Sequence, residues 1–278
     1  NGGTLGGNAT LAGALTVANG GTLSMGNAEI AGSTGTLTVG GALTLNNTSS
    51  LLFDLGTQSD LIQANGATIT LDGVVTVIKG AGFTSGTYKL IDYTGTLTDN
   101  GLIAQMLAGY DLSIEVDTVN TDVNLIVSAI NAQYWDGTDT VADGVVDGGS
   151  GVWTNDNTNW TLADGSNNTS WAASVEKIAI FEGAAGGTVT VQDVVDVNGL
   201  QFGRDYTLAA GGGSINLTTP SAEMRVLTGI TATIAAPVTG TGGFNKTGEG
   251  TLIFTAAAGS NTYSGISQVT AGTLKLGT

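Results

Sequence analysis

The segment from Gly240 to Gly277, GTGGFNKTGEGTLIFTAAAGSNTYSGISQVTAGTLKLG, restricts the possible fold more than any other stretch of the sequence. Three short runs in it favour extended structure, at Thr251–Thr255, Ser267–Thr270 and Thr273–Leu276. Glycine-bearing turns separate the runs, which is typical of a strand-turn-strand coil. Because a coil of this kind cannot bury its apolar side chains alone, we expect it to stack on similar coils.

The single charge in the last run assigns the faces of these strands. Neighbouring side chains of a strand point to opposite faces, so an outward Lys275 directs Leu274 and Leu276 inward. The same alternation places Leu252 and Phe254 inside. We therefore predict that these two residues, together with Leu274 and Leu276, form the structural nucleus of the final coils.

Gly-Thr-Leu triplets recur at both ends of the chain. Their threonines are Thr4, Thr22 and Thr36, which are 18 and 14 residues apart, and Thr251 and Thr273, which are 22 apart. Such spacings suit single coils of a β-solenoid, whereas barrel and doubly wound α/β folds need long helical segments between strands. The predicted fold class is all-β, a parallel β-helix (β-solenoid) built as two consecutive modules.

The composition agrees with many short strands joined by tight turns. The chain has 45 Gly and 2 Pro, and 41% of its residues are hydrophobic while 11% are charged, which excludes a charge-rich disordered chain. A net charge of -16 disfavours nucleic acids and anionic membrane surfaces as partners. With no apolar run near the roughly 20 residues of a spanning helix, we expect no direct membrane insertion of this segment.

Motifs in the last segment carry a family resemblance. The strings KTGEGTL, NTYSG and VTAGTLKLG resemble the passenger-associated repeat of bacterial autotransporters. Between Ser50 and Leu125, the strings FDLG, LDG and GTYKLIDYTG are also similar to autotransporter passenger sequence, and so are YWDG and GVWTNDNTNW further on. The resemblance spans most of residues 35 to 277.

The resemblance implies an architecture and an export route. Passengers of this family are right-handed parallel β-helices that reach the surface of Gram-negative bacteria, and the repeat is thought to help draw the passenger out through its barrel. We therefore expect a right-handed helix, a location at the cell surface or outside the cell after export across the outer membrane, and a signal and translocator elsewhere. The implied role is a secreted structural passenger segment, acting as a stalk, an adhesin spacer or a fibre subunit.

A change in amino-acid composition near Ala132 predicts the domain organisation. Residues 1–132 form a β-helix module, residues 133–182 form a Trp- and Asp-rich junction that opens the second module, and residues 183–278 form a β-helix module that ends in the repeat. If the final GTLKLGT continues into the opening NGGTLGG of another copy, Thr278 would pair with Asn1. The expected partners are therefore neighbouring repeats or other copies of this chain, stacked end to end.

The junction contains every tryptophan of the chain, at Trp135, Trp153, Trp160 and Trp171. Exposed, these rings would form a ligand surface on which a host or matrix glycan stacks, which makes a carbohydrate-binding adhesin the first alternative function. Large aromatic rings also fill the ends and kinks of solenoids, and buried packing is their usual use. We favour the packing interpretation.

Paired carboxylates would indicate a polysaccharide-degrading enzyme, the less favoured alternative. Asp54, Asp72, Asp92 and Asp99 lie at or near strand ends, where an acid and a base could converge. Such residues more often hold turns through hydrogen bonds to the backbone. The sequence has no His and no Cys, which removes the commonest general base and the thiol nucleophile. We predict no enzyme, no catalytic residues and no cofactor.

The acidic run DGTDTVADGVVDGG, residues 136–149, is the only candidate for Ca²⁺. It lacks both the EF-hand spacing and the GGxGxD nonapeptide of calcium-binding β-rolls. A solvated acidic loop is the favoured interpretation, because charged turns are usual between strands. No metal ligands are predicted.

Overall fold

The structure is a computed structural model, and it describes residues 2–26, 33–172 and 177–277. These residues form 31 β-strands, numbered here in chain order, and no helix. Within the same ranges, no helix has the length and hydropathy of a membrane span. The predicted all-β fold class is confirmed, and the strands are arranged as a β-solenoid.

The chain divides into two compact units, Asn1–Ala129 and Ile130–Thr278. The predicted module boundary near Ala132 lies three residues after this division. Strands from the predicted junction, residues 133–182, share sheets with strands from residues 183–278.

The first unit contains three sheets, and each of its first four coils contributes one strand to each sheet. The first sheet is β1 (Thr4–Gly6), β4 (Thr22–Ser24), β7 (Ser50–Leu55), β10 (Val74–Lys79) and β13 (Ile103–Ala104). The second is β2 (Ala9–Leu11), β5 (Thr36–Val39), β8 (Leu61–Ala64), β11 (Gly86–Tyr93), β15 (Asp122–Ala129) and β14 (Tyr110–Asp117). The third is β3 (Leu15–Val17), β6 (Leu43–Leu45), β9 (Thr68–Leu71) and β12 (Thr96–Asp99).

The second unit also contains three sheets. The first is β18 (Trp160–Thr161), β16 (Gln133–Trp135), β19 (Ile178–Phe181), β22 (Gly199–Phe202), β25 (Ala222–Val226), β28 (Phe244–Thr247) and β30 (Ser267–Val269). The second is β17 (Gly151–Trp153), β20 (Gly187–Val191), β23 (Tyr206–Ala210), β26 (Thr231–Ile234), β29 (Thr251–Phe254) and β31 (Thr273–Leu276). The third is β21 (Val194–Val197), β24 (Ser214–Leu217) and β27 (Val238–Gly240).

The Gly-Thr-Leu spacings have two different structural meanings. Thr4 pairs with Thr22 and Thr251 pairs with Thr273, so the spacings of 18 and 22 residues each correspond to one coil. The spacing of 14 does not, because Thr22 lies on β4 of one sheet and Thr36 on β5 of another. The triplet therefore marks strands, and only some pairs of triplets mark successive coils.

Parallel pairing aligns the inward side chains of successive coils into rows. In the first unit, Leu37, Ile62 and Ile91 are register partners on β5, β8 and β11, and all three are buried. Rows of this kind form a separate hydrophobic core in each unit. Every inner strand is hydrogen-bonded to a coil on either side, so each coil is stabilised mainly by its neighbours.

Two sets of strands depart from the predicted parallel arrangement. Strand β15 is antiparallel to both β11 and β14, and β16 is antiparallel to β18. The turn at residues 118–121 explains the first case, because a connection of four residues joins antiparallel strands but is too short for a parallel crossover. Asp117 stabilises this turn by accepting hydrogen bonds from the backbone N–H groups of Val119 and Asn120.

A column of glycines at one corner of the first unit lets successive coils approach closely. A Cβ on Gly41 would collide with the backbone at Gly13 and Ala14, and a Cβ on Gly66 would collide with the carbonyl group of Gly41. A Cβ on Gly95 would in turn collide with the carbonyl oxygen of Gly66. Only glycine fits at these three stacked positions.

Candidate functional site

The four tryptophans form one buried cluster in the second unit, which we call the tryptophan core. The side chains of Trp135, Trp153, Trp160 and Trp171 are each 0% exposed. Ring centroids are 4.7 Å apart for Trp160 and Trp171, 4.8 Å for Trp153 and Trp160, and 5.2 Å for Trp135 and Trp160. Phe181 extends the cluster, with its ring centroid 5.7 Å from those of Trp153 and Trp160.

Strand register brings these rings together. Trp135 and Trp160 are direct partners across the antiparallel pair β16–β18, and Trp153 is the last residue of β17. Two indoles also fasten loops, since Trp135 Nε1 donates to the carbonyl oxygen of Gly149 at 2.9 Å and Trp171 Nε1 donates to that of Asp196 at 3.0 Å. The indole N–H groups of Trp153 and Trp160 are buried without a hydrogen-bond partner.

The burial of the tryptophan core corrects the interpretation of these residues as a ligand surface. A sugar stacks on the open face of an aromatic ring, and none of the four rings has an exposed face. The rings instead fill the interior of the first coil of the second unit, as in the packing interpretation favoured above. They can influence a ligand only by positioning the loops that surround them.

Asp136 holds the acidic run in place from inside the protein. Its carboxylate is 1% exposed and accepts hydrogen bonds at 2.8 Å from the backbone N–H of Asp147 and from Nδ2 of Asn168. Burial raises the pKa of Asp136 despite these two bonds. Within the described ranges, no group of three or more His, Cys, Asp or Glu side chains could hold a metal ion.

Tyr206 fastens the end of the same run to the next coil. Its hydroxyl accepts a hydrogen bond from the N–H of Gly149 at 2.8 Å, and the carbonyl oxygens of Glu182 and Ala185 lie within 3.0 Å of it. Burial raises the pKa of Tyr206 to about 12. Sequence reasoning gave Tyr206 no role, because only the register of β20 and β23 shows that this residue lies opposite the glycine-rich loop.

A pocket with a volume of about 400 Å³ lies next to the tryptophan core, since Gly151 in its lining is packed against the ring of Trp135. Its lining combines polar side chains and glycine backbone with a larger share of apolar surface. The lining residues are Gly137, Thr138, Thr140, Gly151, Val152, Asp156, Asn157, Thr158 and Asn159. The motif GVWTNDNTNW contributes six of these nine residues.

The four candidate carboxylates do not form one site. Asp54 lies on β7, Asp92 on β11 and Asp99 on β12, and these strands belong to three different sheets. Asp72 accepts a hydrogen bond from the N–H of Gly73, and Asp99 accepts one from the N–H of Gly101. Asp72 and Asp99 therefore hold turns, as the favoured interpretation expects.

The predicted nucleus in the last coils is only partly buried. Leu252 and Phe254 lie in the core, and Leu274 is partly buried against it, whereas Leu276 is 76% exposed. Leu276 is therefore not buried with the other three residues. The reason is positional: Leu276 is the register partner of Phe254, but β31 is the last strand of its sheet, and no described residue covers it.

Lys246 is the unexpected member of this region. It is 0% exposed, and its ammonium group donates to the carbonyl oxygens of Thr247 at 2.7 Å, Gly248 at 2.6 Å and Ala271 at 3.2 Å. The third bond joins β28 to the following coil. Burial lowers the pKa of this group. Alternation from Phe244, two residues earlier and also buried, is the signal that places Lys246 inside.

Asn261 of the NTYSG motif connects neighbouring coils through a bond to the backbone. Its Oδ1 accepts a hydrogen bond from the backbone N–H of Val238 at 2.9 Å, so the amide caps the preceding coil directly. The predicted pairing of Thr278 with Asn1 cannot be located in this way, because both residues lie outside the described ranges.

Comparisons with known proteins agree with these features. The family model described as passenger-associated-transport-repeat matches residues 244–276, which include Lys246, Leu252 and Phe254. The chain is also 37% identical over 233 residues to the adhesin BmaC autotransporter of Brucella suis biovar 1, a match that covers 80% of this chain and 7% of that relative. No solved structure gives a significant match.

These matches confirm the expected autotransporter passenger repeat and the expected location, at the cell surface or outside the cell. With the β-solenoid fold, they support a role as part of a surface passenger. The chain spans a small part of the relative that it matches.

Proposed function

We propose that this chain is a spacer segment of a surface adhesin, whose role is to hold other parts of the passenger away from the cell. The observation that carries the proposal is the continuity of the parallel ladders, in which each inner strand is hydrogen-bonded to the coil before it and the coil after it. Such stacking resists bending and needs no ligand. The adhesin name of the relative supports the same role.

The repeat at residues 244–276 contributes a second mechanical property in this proposal. Lys246 bonds to the carbonyl oxygen of Ala271 in the next coil, and Leu252 pairs with Leu274 in register. A coil fixed in this manner presents an ordered strand edge on which another coil can form. The repeat therefore serves as the nucleus from which stacking proceeds as the passenger emerges.

A display experiment tests the spacer role. The chain is placed on the surface of bacteria between a heterologous translocator and a nanobody against green fluorescent protein. We expect the spacer to increase the capture of large beads coated with that protein, compared with a direct fusion, and to leave capture of the soluble protein unchanged. An unrelated β-solenoid with the same number of coils should work equally well.

The same strains distinguish a spacer from a binding module. Cells that display the chain without the nanobody should not attach to host cells or extracellular matrix more than empty cells do. Attachment by the chain alone, or a failure of the unrelated solenoid to replace it, contradicts a purely mechanical role. Electron microscopy of the purified chain over a concentration series tests the fibre variant, because end-to-end assembly should give filaments that lengthen with concentration.

A further inference from the structure

We propose that Lys246 is a positioning residue, which fixes the register in which the coil of β30 and β31 stacks on the coil of β28 and β29. This role concerns which register forms, and it holds whether the buried ammonium group raises or lowers the total stability. It presupposes that residues 244–276 act as the proposed nucleus. The two roles can fail separately, because a repeat that stacks in either register still separates the nanobody from the cell in the bead-capture experiment.

Apolar packing alone leaves the register of β31 ambiguous. Leu274 and Leu276 lie two residues apart on the same face of this strand, and Leu274 is the register partner of Leu252. Because side chains alternate with a period of two, a slip by two residues keeps every side chain on its face and places Leu276 opposite Leu252. One leucine then replaces another, so hydrophobic burial does not distinguish the two registers.

Strand β30 adds little selectivity. Its residues Ser267 and Val269 are the register partners of Phe244 and Lys246, which are both buried. Ser267 is small and polar, and all three residues of β30 are exposed. Register is weakly specified where a strand buries no apolar face, so a polar contact has to select it.

Lys246 provides such a contact from inside the coil. Its side chain is 0% exposed, and its ammonium group donates to the carbonyl oxygens of Thr247 at 2.7 Å and Gly248 at 2.6 Å in its own coil. It also donates to the carbonyl oxygen of Ala271 in the following coil at 3.2 Å. Only this third bond depends on the register. A buried ammonium group that loses an acceptor is destabilising, so a register that removes Ala271 is disfavoured.

The bend at Gly272 makes Ala271 a specific acceptor. Carbonyl groups within a parallel strand point along the sheet towards neighbouring strands, whereas Ala271 lies between β30 and β31, where the chain turns at Gly272 with a φ of 68°. A Cβ on Gly272 would collide with the carbonyl oxygen of Gly248, so glycine also permits the close approach of the two bends. After a slip by two residues, Thr273 of β31 would replace Ala271 opposite Lys246, and a strand carbonyl would not point inward.

Engineered disulfides measure the register directly. The chain has no cysteine, so two introduced thiols in one molecule can pair only with each other. Thr251→Cys with Thr273→Cys joins register partners, whose Cα atoms are about 5 Å apart on neighbouring strands and suit a disulfide. Thr251→Cys with Lys275→Cys reports the slipped register, because these two positions face each other only after a slip by two residues. Each pair is oxidised in the purified full chain, and mass spectrometry measures the disulfide yield.

With Lys246 in place, we expect the first pair to form its disulfide and the second pair to form little. Lys246→Met keeps the length of the side chain and removes its charge. It should raise the yield of the slipped disulfide about tenfold, the effect of losing one charge-assisted hydrogen bond. Lys246→Gln supplies a shorter, neutral donor and should raise the yield by a smaller factor, so it is the second test if the methionine variant does not fold.

Met224→Ala is the matched control. Met224 is the register partner of Lys246 in the preceding coil and is also 0% exposed, so its truncation destabilises the same core. It removes no contact to Ala271 and should leave the slipped disulfide at its original yield. Tryptophan fluorescence checks that each variant is folded, since all four tryptophans belong to the core of this unit.

Three results would overturn the proposal. The first is an unchanged yield of the slipped disulfide in folded Lys246→Met and Lys246→Gln. The second is an equal increase in Met224→Ala, which would make slippage a general consequence of lower stability. The third is the loss of both disulfides in folded Lys246→Met, which would mean that Lys246 holds the coil in place without selecting its register.

Discussion

The two units stack the same kind of coil but complete their stacks differently. In Asn1–Ala129, the backbone reverses, and the hairpin β14–β15 lies antiparallel along β11 at one end of its sheet. In Ile130–Thr278, the short antiparallel pair β16–β18 lies at the end of its sheet where the unit begins in sequence, and large side chains fill the coil behind it.

This difference shows two solutions to one problem. The end of a parallel stack exposes both unpaired backbone groups and an open interior. The hairpin in the first unit satisfies the backbone groups along β11 with eight-residue strands. The tryptophan core mainly fills the interior, because a two-residue strand such as β18 can satisfy few backbone groups. Each prediction below tests one side of this comparison.

The largest effect is expected in the tryptophan core. Trp160→Ala removes the ring that contacts Trp135, Trp153 and Trp171, and we expect it to destabilise the second unit by about 4 kcal/mol. The remaining tryptophan fluorescence measures this in urea, since all four tryptophans lie in the second unit. Hydrogen exchange in the first unit should not change, because its core is a separate cluster. Equal losses of protection in both units would contradict two independent cores.

The next effect is expected in the hairpin of the first unit. Leu125 on β15 is fully buried, and Leu125→Ala should destabilise this unit by about 3 kcal/mol. Hydrogen exchange measured by mass spectrometry should show increased exchange in β11, β14 and β15. The control is Val119→Ala in the turn of the same hairpin, where the side chain is 89% exposed and the change should stay within about 0.5 kcal/mol. A similar effect of both substitutions would mean that the hairpin does not close the core.

A smaller effect is expected from the buried lysine at the other end of the second unit. Lys246→Met keeps the length of the side chain but leaves three carbonyl oxygens without their donor, at a cost of about 2 kcal/mol. Lys275→Met is the matched control in the same repeat, because Lys275 is exposed and should tolerate the change. Urea unfolding of the two variants measures the difference. A stabilised Lys246→Met variant would indicate that desolvation of the ammonium group outweighs its three bonds.

The smallest effect concerns pH and involves one buried carboxylate in each unit. Burial raises the pKa values of Asp60, which faces Asp54, and of Asp136, which faces Asp139 and Asp147. The folded protein therefore binds these two protons more readily than the unfolded chain, whose reference pKa is 3.8. Their contribution to stability increases as pH falls from neutral through the raised pKa values and levels off below the unfolded value.

Urea unfolding between pH 7 and pH 4 measures this dependence, with Asp60→Asn and Asp136→Asn as the variants that remove it. Each variant is less stable than the wild type at low pH because an acceptor is replaced, but its stability should depend less on pH. An unchanged pH dependence in both variants would assign the effect to other carboxylates. Asp117 and Asp164, whose pKa values hydrogen bonds lower, act in the opposite direction from exposed positions.

The sequence predicted those features that depend on local alternation. Leu252 and Phe254 were assigned inward and are buried. Their strand, β29, lies between two other strands of its sheet, so every inward side chain that the alternation predicts is covered on both sides. Leu276 has the same register position as Phe254 but is exposed, because alternation gives the face of a side chain and not whether another coil covers it. The antiparallel pairing of β14 and β15 was also missed. The run DVNLIVS favours a strand whether its neighbour is parallel or antiparallel, and only the short turn before it requires the antiparallel arrangement.

Residues whose role depends on three-dimensional proximity could not be found in this way. Asp136 and Asn168 are 32 residues apart, and Tyr206 and Gly149 are 57 apart, so no local pattern links them. The pocket next to the tryptophan core likewise combines residues of the acidic run with Asn157 and Asn159 from the connection between β17 and β18. In contrast, the family of the last repeat was recognised correctly, because its motifs are contiguous in sequence.

The glycine column at Gly41, Gly66 and Gly95 limits how the length of such a protein can change during evolution. Inserting or deleting one residue within a coil would move a side chain into a corner where only backbone fits. Adding or removing an entire coil keeps every glycine above another glycine. Changes in length are therefore expected as duplications and losses of complete coils, so that descendants of one ancestral gene differ in steps of about one coil.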